Sequence, residues 1–261
     1  MTVLFAKNST TTQRPGSTVK IITALVMWDW INGSALGTRV TVAAEDTVYW
    51  PTNSNMGLLA GDQLSYRDLL YGLMIASGND AARTIARTVG ALIVAAGGPG
   101  TSPEPATRFI QAMNLKAAAA GAATAVLTDA AGLDMGNLMS ADDLCQVMIA
   151  YCAVPFLVEV DGTMNHLVTI YGANARTYNI KNHTDPESFG VDIPELICGK
   201  TGWVTYNDPA LNSGGCMAAL WEAPSGARRI TSLLGSTNNS PVTYQDLRKL
   251  IDYELARLGE L

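Results

Sequence analysis

The sequence predicts an α+β protein in which an antiparallel sheet is flanked by helices and carries a mostly helical insertion. Three observations lead to this fold class. An apolar helix begins near Pro15, a long helical stretch occupies the middle of the chain, and strand-like segments follow from His166 and end in an amphipathic helix. We expect one domain over 1–261, with an α/β part, 1–40 plus 165–261, and a mostly helical part, 41–164.

Composition bounds the function before any motif is considered. The chain has 261 residues, of which 48% are hydrophobic and 15% charged, so it is expected to fold around a full core. Its net charge of −6 argues against a nucleic-acid-binding surface, which would be basic. No apolar run reaches the ~18 residues of a membrane span. No signal peptide is visible, which indicates either a cytoplasmic protein or a secretory segment already removed.

The hydrophobic pattern predicts the first strands and the first helix of the chain. Residues 2–6 resemble a short strand. The stretch 15–31 is apolar on almost every side and is stopped by Asn32-Gly33, which predicts a buried helix. A short strand is expected over 38–42.

Helix-start signals mark the middle of the chain. Ser65 and Asp68 have capping-box spacing and open a helix over 69–76, and another helix is expected from Asp80 to Val89. Helices are also expected over 104–119 and from Ser140, another capping-box start, to 152.

From His166 onward the pattern changes to strands and then to a last helix. Four strands are expected, followed by a helix with apolar positions at helical spacing: 166–171, 196–198, 216–220 and 230–234, then 242–258.

Four cysteines and two histidines limit the chemistry. None of the cysteines has C-x-x-C spacing, so a structural zinc site is not expected. Cys198 and Cys216 could face each other across a hairpin, although two buried thiols are the favoured state. Neither His166 nor His183 stands in a catalytic context, so a serine nucleophile would need a base other than histidine.

A serine and a lysine open the buried helix three residues apart. Ser17 and Lys20 lie on one side of the helix, about 5–6 Å apart at Cβ. Burial lowers the pKa of a lysine, and such a lysine can take a proton from serine. The alternative is that Ser17 only caps the helix while Lys20 extends its ammonium to solvent.

Two further motifs decide between these interpretations. The order S-x-x-K, S-x-N and K-T-G, here at Ser17–Lys20, Ser77–Asn79 and Lys200–Gly202, is typical of penicillin-binding proteins and class A β-lactamases. Strand alternation places Lys200 and Gly202 on one face and Thr201 on the other.

The resemblance extends through most of the chain. Segments 14–25, 69–82, 109–114, 131–134 and 199–202 resemble the serine-type D-alanyl-D-alanine carboxypeptidases of the low-molecular-mass penicillin-binding protein family. This resemblance implies a β-lactamase/transpeptidase-like fold. The form Ser-Gly-Asn-Asp-Ala at 77–81 favours carboxypeptidases over class A β-lactamases, which normally carry Ser-Asp-Asn.

The resemblance implies a role for each motif residue. Ser17 would be the nucleophile that forms an acyl-enzyme, and Lys20 the general base. Ser77 would relay a proton to the leaving group. Asn79 would orient Lys20 and bind a substrate amide.

The later residues would bind substrate. Lys200 would add positive potential, and Thr201, followed by Gly202, would hold the terminal carboxylate. The backbone N–H groups of Ser17 and Trp203 would form the oxyanion hole. An arginine on the following strands is expected against the carboxylate, with Arg228 favoured and Arg229 its rival.

The sequence departs from the family pattern in three places. Gly16 stands where the family usually has alanine, and Trp203-Val204-Thr205 follows the third motif where Tyr, Phe or His and then Thr are usual. The loop 206–214 looks longer than usual. A first strand usual in the family has no counterpart, so a sheet edge is expected to be open or covered by another chain.

Substrate, location and alternatives follow from the resemblance. It implies peptidoglycan D-Ala-D-Ala peptides and β-lactams as partners, no metal or other cofactor, and an extracytoplasmic location in the cell envelope or as a secreted protein. One alternative is a class A-like β-lactamase, for which Glu159 is a candidate deacylation base by position alone. Another is a penicillin-recognising sensor that does not turn over.

Overall fold

A computed structural model describes residues 2–48, 54–237 and 240–260 of the chain. Seven α-helices and seven strands lie within these ranges, which confirms the predicted α+β class. The helices are α1 (Lys20–Trp30), α2 (Tyr66–Met74), α3 (Asn79–Ala95), α4 (Pro105–Ala119), α5 (Ala141–Cys152), α6 (Pro155–Gly162) and α7 (Ser240–Leu258). The strands are β1 (Arg39–Thr41), β2 (Gln63–Ser65), β3 (Asn165–Ile170), β4 (Arg176–Lys181), β5 (Leu196–Gly202), β6 (Gly215–Glu222) and β7 (Arg228–Ser236).

A three-stranded antiparallel sheet, in the order β5-β6-β7, carries the third motif on one of its outer strands. Two smaller antiparallel pairs, β1 with β2 and β3 with β4, complete the strands of the described chain. The strands after His166 therefore divide between two sheets, because β3 forms a hairpin with β4, a strand that the sequence pattern did not predict.

The central strand β6 separates two hydrophobic cores. Ala218 and Leu220 face the larger core, whereas Met217, Ala219 and Trp221 face a smaller core that contains the apolar side of α7. This alternation is the period of two that a strand imposes on its side chains. Both faces of the sheet are consequently buried, which accounts for the nearly continuous apolar sequence of β6.

Helix α1 lies at the centre of the larger core, as its apolar composition predicts. All residues from Lys20 to Met27 are buried, and a 3-10 turn, Gly16–Val19, leads into the helix. Helices α3, α4 and α5 pack around it. A helix enclosed on every side is positioned firmly, so its first turn is a stable platform for chemistry.

Both predicted capping sites are present. The Ser65 hydroxyl accepts a hydrogen bond from the Asp68 N–H at 3.1 Å, and α2 begins there. Ser140 and Asp143 form a full capping box at the start of α5. Such local signals depend on neighbouring residues, which is why the sequence reveals them.

The predicted strand over residues 2–6 is wrong. The segment has no strand structure and is exposed, with Val3 62% and Phe5 51% exposed. A strand requires hydrogen bonds to a neighbouring strand, whereas Phe5 here contacts the ring of Tyr253 on α7, with the ring centroids 5.7 Å apart.

The cysteines are free thiols, and the disulfide considered between Cys198 and Cys216 does not form. In the β5–β6 register Cys216 lies opposite Gly202, and Cys198 lies opposite Leu220. Both thiols are buried, as favoured from sequence.

The division into an α/β part and a helical part stays a prediction.

No single helix in the described ranges has both the length and the apolar character needed to cross a membrane. The bent pair α5 and α6, with 106° between them, meets that test only as a pair.

Gly90 offers a test of how closely α3 and α4 pack. A Cβ at this position would collide with the backbone carbonyl of Pro105, which cannot swing aside. Glycine to alanine normally stabilises a helix by about 1 kcal/mol, but we expect Gly90→Ala to lower the free energy of unfolding by about 1–3 kcal/mol. Urea unfolding would measure the change. Leu92→Ala, at an exposed neighbour, should stay within about 0.5 kcal/mol, and a stabilised Gly90→Ala variant would contradict the predicted packing.

Candidate active site

The ammonium group of Lys20 joins three distant segments of the chain. Its Nζ atom lies 2.8 Å from Ser17 Oγ, 2.8 Å from Asn79 Oδ1 and 2.8 Å from the carbonyl oxygen of Ala131. Three acceptors match the three N–H donors of an ammonium group. The structure thus brings the first and second motifs together at a single atom.

Burial makes the ammonium group of Lys20 a stronger acid than that of an ordinary lysine. Lys20 is 0% exposed, and burial lowers its pKa well below the usual value. The positive charge of Lys200 lowers it further, while the carboxylates of Asp129 and Asp80 oppose the shift. The neutral amine, which can accept a proton from a serine hydroxyl, is therefore more accessible near neutral pH.

The second motif lies in a turn between α2 and α3. Ser77 has a φ of 54°, a left-handed conformation that is uncommon for residues other than glycine, and it is 5% exposed. The turn is closed by the Gly78 N–H, which donates to Gly72 O at 2.8 Å. Asn79 opens α3, and this position directs its amide oxygen to Lys20.

The sequence did not reveal what holds this turn. The buried carboxylate of Asp80 accepts hydrogen bonds from the backbone N–H groups of Met56, Gly57 and Leu58, at 2.9–3.0 Å. Asp80 therefore fixes the segment before α2 against the second motif. The contact spans more than twenty residues, so no local pattern predicts it.

The backbone of the third motif lies directly against the backbone of Pro15 and Ser17. A Cβ added to Gly202 would lie 2.6 Å from Pro15 O and 2.9 Å from Ser17 N, and one added to Gly16 would lie 3.0 Å from Trp203 N. Only glycine allows such proximity. The N–H groups of Ser17 and Trp203 consequently lie close together, where β5 meets the turn before α1.

A cavity of about 240 Å³ opens at this meeting point. Residues of all three motifs line it, together with residues from several other segments: Ser17, Ser77, Asn79, Thr201, Gly202 and Trp203, with Ser54, Leu133, His183, Phe189, Thr243 and Tyr244 among the others. Trp203 is 51% exposed, which is unusual for a large aromatic ring and fits a wall of an open site.

Lys200 lies behind the cavity wall. It is 0% exposed, and its Nζ donates to Thr201 O at 2.9 Å. Burial lowers the pKa of Lys200 to about 8, and the charge of Asp161 opposes that shift. Its positive charge therefore acts through the strand and faces little screening by solvent.

The structure does not bring Arg228 to the site. Arg228 lies at the end of the sheet away from Gly202, opposite Glu222, to which its Nε donates at 3.0 Å. Arg229 lies beside it and approaches Glu254 at 3.7 Å. The end of β7 that lies near the site is the opposite end, at Ser236. No arginine is among the described residues that line the cavity.

Glu159, the residue considered for a β-lactamase mechanism, lies on α6 with its side chain exposed. It does not line the cavity. Among the described residues no cluster of three or more His, Cys, Asp or Glu side chains could hold a metal ion.

The comparison with protein families decides which enzymes this arrangement resembles. Residues 1–204 match the D-alanyl-D-alanine carboxypeptidase family of S11 peptidases, which is more than half of the chain. The chain belongs to this family. The match confirms the resemblance drawn from the three motifs.

Two curated members of the D-alanyl-D-alanine carboxypeptidases align with parts of the chain. One from Mycobacterium tuberculosis is 30% identical over 161 residues, covering 60% of this chain and 49% of that protein. One from a Streptomyces strain is 41% identical over 91 residues, covering 34% of this chain and 31% of that protein. The chain thus matches half or less of the length of these relatives.

Solved structures of related enzymes superpose on almost the entire chain. A point mutant of a Streptomyces DD-transpeptidase superposes with a TM-score of 0.80 at 26% identity, covering 97% of this chain and 92% of that one. A D-alanyl-D-alanine carboxypeptidase from Mycobacterium tuberculosis superposes with a TM-score of 0.76 at 24% identity, covering 96% and 84%. These superpositions confirm the transpeptidase-like fold.

The backbone of Ser77 provides a test that separates stability from chemistry. Glycine accepts a φ of 54° freely, whereas serine is strained there by about 1–2 kcal/mol. We expect Ser77→Gly to leave the free energy of unfolding unchanged or raise it by up to about 1 kcal/mol, and to slow labelling by a fluorescent penicillin by ~10² or more.

The matched control is Asn8→Gly, at the other described residue besides glycine with a left-handed backbone (φ 51°). It should leave labelling unchanged. Equal labelling of Ser77→Gly and the unaltered protein would remove Ser77 from the chemistry.

Proposed function

We propose that the chain is a serine-type DD-carboxypeptidase that removes the terminal D-alanine from peptidoglycan stem peptides and is acylated by β-lactams. The observation that carries this proposal is the 2.8 Å contact between Lys20 Nζ and the Oγ of Ser17, a residue that lines the same cavity as residues of the second and third motifs. Membership of the carboxypeptidase family and the names of its curated relatives support the same substrate class.

Acylation needs a nucleophile and a base in contact. Ser17 Oγ attacks the carbonyl carbon of the penultimate D-alanine while neutral Lys20 accepts the hydroxyl proton. The C–N bond of the peptide then breaks, and the proton passes to the departing amine through Ser77. Water attacks the resulting ester and restores the Ser17 hydroxyl, so each turnover consumes one water molecule and releases one D-alanine.

The developing oxyanion would be stabilised by the backbone N–H groups of Ser17 and Trp203. Gly16 and Gly202 have no side chains to hold these two backbone segments apart, so the two amides lie close together. Preorganised donors of this kind contribute strongly, and loss of one typically costs ~10²–10³ in rate.

The terminal carboxylate would be held without an arginine. Thr201 lines the cavity, and Thr243 adds a second threonine from the first turn of α7. The buried charge of Lys200 lies directly behind Thr201 and attracts an anion at this position. In this proposal Lys200 and the two threonines bind the carboxylate, the role first predicted for Arg228.

A β-lactam would react at the same atoms. Its strained cyclic amide replaces the D-Ala-D-Ala peptide bond, and its carboxylate replaces the terminal carboxylate. Because the substrate lies outside the cytoplasmic membrane, we infer an extracytoplasmic location, in the cell envelope or secreted.

The functional test compares acylation with turnover. We expect a fluorescent penicillin to label the protein covalently, and D-alanine to be released from a D-Ala-D-Ala peptide. Ser17→Ala should abolish both signals without loss of folding, while Ser34→Ala, an exposed serine outside the site, should retain both. Absence of labelling in the unaltered protein would overturn the proposal. Rapid penicillin hydrolysis would favour a β-lactamase, and stable labelling without D-alanine release would favour a sensor.

The pH dependence of acylation follows from the two lysines. Lys20 must be neutral to accept a proton, so the acylation rate should rise with pH through its lowered pKa. Lys200 must be charged to bind the carboxylate, so the rate should fall above a pH of about 8, the pKa of Lys200. Stopped-flow acylation between pH 5 and pH 10, about the range over which both groups change charge, measures this bell-shaped profile. A rate that keeps rising with pH above about 8 would contradict the role of Lys200.

A further inference from the structure

A histidine outside the three motifs stands at the active-site cavity. His183, in the segment between β4 and β5, lines this cavity together with Ser17, Ser77 and Thr201. Among the described residues that line the cavity it is the only basic side chain, and none of them carries a carboxylate. No pattern along the chain marks this histidine, so only the structure brings it to the site.

The backbone of His183 is held from two sides. Its N–H donates to Ile75 O at 2.7 Å, two residues before Ser77, and its carbonyl oxygen accepts from the Tyr244 hydroxyl at 3.3 Å. Both of its neighbours along the chain are buried, whereas His183 itself is exposed. A fixed backbone with an exposed side chain places the imidazole at the mouth of the cavity.

The far end of the same segment is fixed by an aromatic contact. Phe189 stacks on Tyr244, with the ring centroids 5.2 Å apart, and both residues line the cavity. Tyr244 therefore contacts Phe189 with its ring and His183 with its hydroxyl. Because Tyr244 directly follows Thr243, the wall that carries this threonine also carries His183.

The imidazole of His183 is free to bind a ligand. Both hydrogen bonds of this residue are made by its backbone, so its ring has no hydrogen-bond partner within the described part of the chain. The other histidine differs, because His166 is bonded to Asp68 at 2.8 Å and stacks on Tyr71. A donor without a protein partner at the mouth of a cavity is typical of a ligand contact.

The chemistry of this wall favours an anion. Thr201, Thr243 and His183 supply hydroxyl and ring N–H donors, and no carboxylate of the described lining repels a negative charge. Lys200 is 0% exposed and donates to Thr201 O, so its charge attracts an anion from behind the wall without contacting it. A carboxylate has two oxygens and about four acceptor positions, which leaves room for a donor besides the threonines.

We propose that His183 binds the terminal carboxylate of the substrate, with an imidazole N–H donating to one carboxylate oxygen while the threonines bind the other. This inference rests on the proposed function, since that function supplies a substrate with a free carboxylate. It deepens that function by assigning a substrate contact to a residue that belongs to none of the three motifs.

The charged groups around His183 suit a hydrogen-bond donor. Partial burial lowers the pKa of His183, and the positive charge of Lys200 lowers it further, so the imidazole is neutral near neutral pH and donates one N–H. Asp185 accepts hydrogen bonds within its own turn. The Tyr244 phenol is neutral because burial raises its pKa. A carboxylate bound beside the ring would raise the pKa of His183.

Substitution of His183 tests the contact through the kinetics of D-alanine release. With a D-Ala-D-Ala peptide, we expect His183→Ala to raise KM by about 10- to 100-fold, as for loss of a hydrogen bond to a charged group, and to keep kcat within about threefold. His183→Gln retains an N–H donor and should recover most of the loss. Glu187→Ala, at an exposed residue of the same segment outside the cavity lining, should leave both constants unchanged.

Two outcomes would overturn the inference. One is a KM for His183→Ala within about twofold of that of the unaltered protein. The other is a fall in kcat and in the unfolding temperature at constant KM, which is the result of a purely structural role.

The substrate offers a matched pair of its own. A peptide that ends in D-Ala-D-Ala amide lacks the carboxylate, so the unaltered protein should prefer the acid. In His183→Ala the ratio of kcat/KM for the acid to that for the amide should fall by about tenfold or more, because the variant has lost the group that senses the difference. An unchanged ratio would show that His183 does not contact the carboxylate.

A spectroscopic measurement does not depend on turnover. The chain has two histidines, so two imidazole signals are expected, and His183→Gln assigns them. In Ser17→Ala, which lacks the nucleophile, the acid peptide should raise the pKa of His183 by about half a unit or more and leave that of His166 unchanged. The peptide amide should cause no such rise.

The two proposals fail in different ways. An unaltered protein that no penicillin acylates would refute the proposed function, and the NMR titration of His183 would then decide the inference alone. An unaltered protein that is acylated and releases D-alanine, with a pKa of His183 that the acid peptide does not raise, would refute only the inference.

Discussion

The hydrogen bonds of one buried ammonium group set the geometry on which the site depends. Lys20 is held by acceptors from the turn before α1, from the start of α3 and from the loop that precedes α5. Removing a buried charge from water is expensive, and the three acceptors compensate for it only if all three are in place. The packing of α1 against α3, α4 and α5 is therefore a requirement of the chemistry as well as of the core.

A second constraint acts on the backbone. The contact between β5 and the turn that holds Ser17 depends on two glycines, Gly16 and Gly202, and on a hairpin loop that leads from Trp203 back to β6. Tyr206 of that loop donates to Leu133 O at 2.9 Å, next to the segment that holds Lys20. The two constraints are thus linked, because the loop that begins at Trp203 also contacts the segment that supplies an acceptor for Lys20.

Sequence reasoning succeeded where signals are local and failed where they are long-range. The capping residues Ser65 and Ser140 act on their own helices, and the apolar run of α1 records its burial directly. The anchoring of the second motif by Asp80 depends on contacts between remote segments. Strand β4 was missed although its hairpin with β3 is local, because four of its six residues are polar or charged and give a weak hydrophobic signal. Arg228 was misplaced because its position depends on the register of β7, which a count along the chain does not give. The strand expected over 2–6 failed because hydrophobic character cannot show whether a neighbouring strand exists.

The contacts of Lys20 also bear on how the protein folds. Its acceptors are 3, 59 and 111 residues away along the chain, so the last of them can be recruited only after a long loop has closed. Contacts between residues far apart along the chain are slow to form, because closing a long loop costs conformational entropy. A partly folded chain with α1 and α3 already paired would still lack the Ala131 carbonyl and the backbone of β5. The arrangement around Ser17 is therefore complete only when segments more than a hundred residues apart along the chain have met.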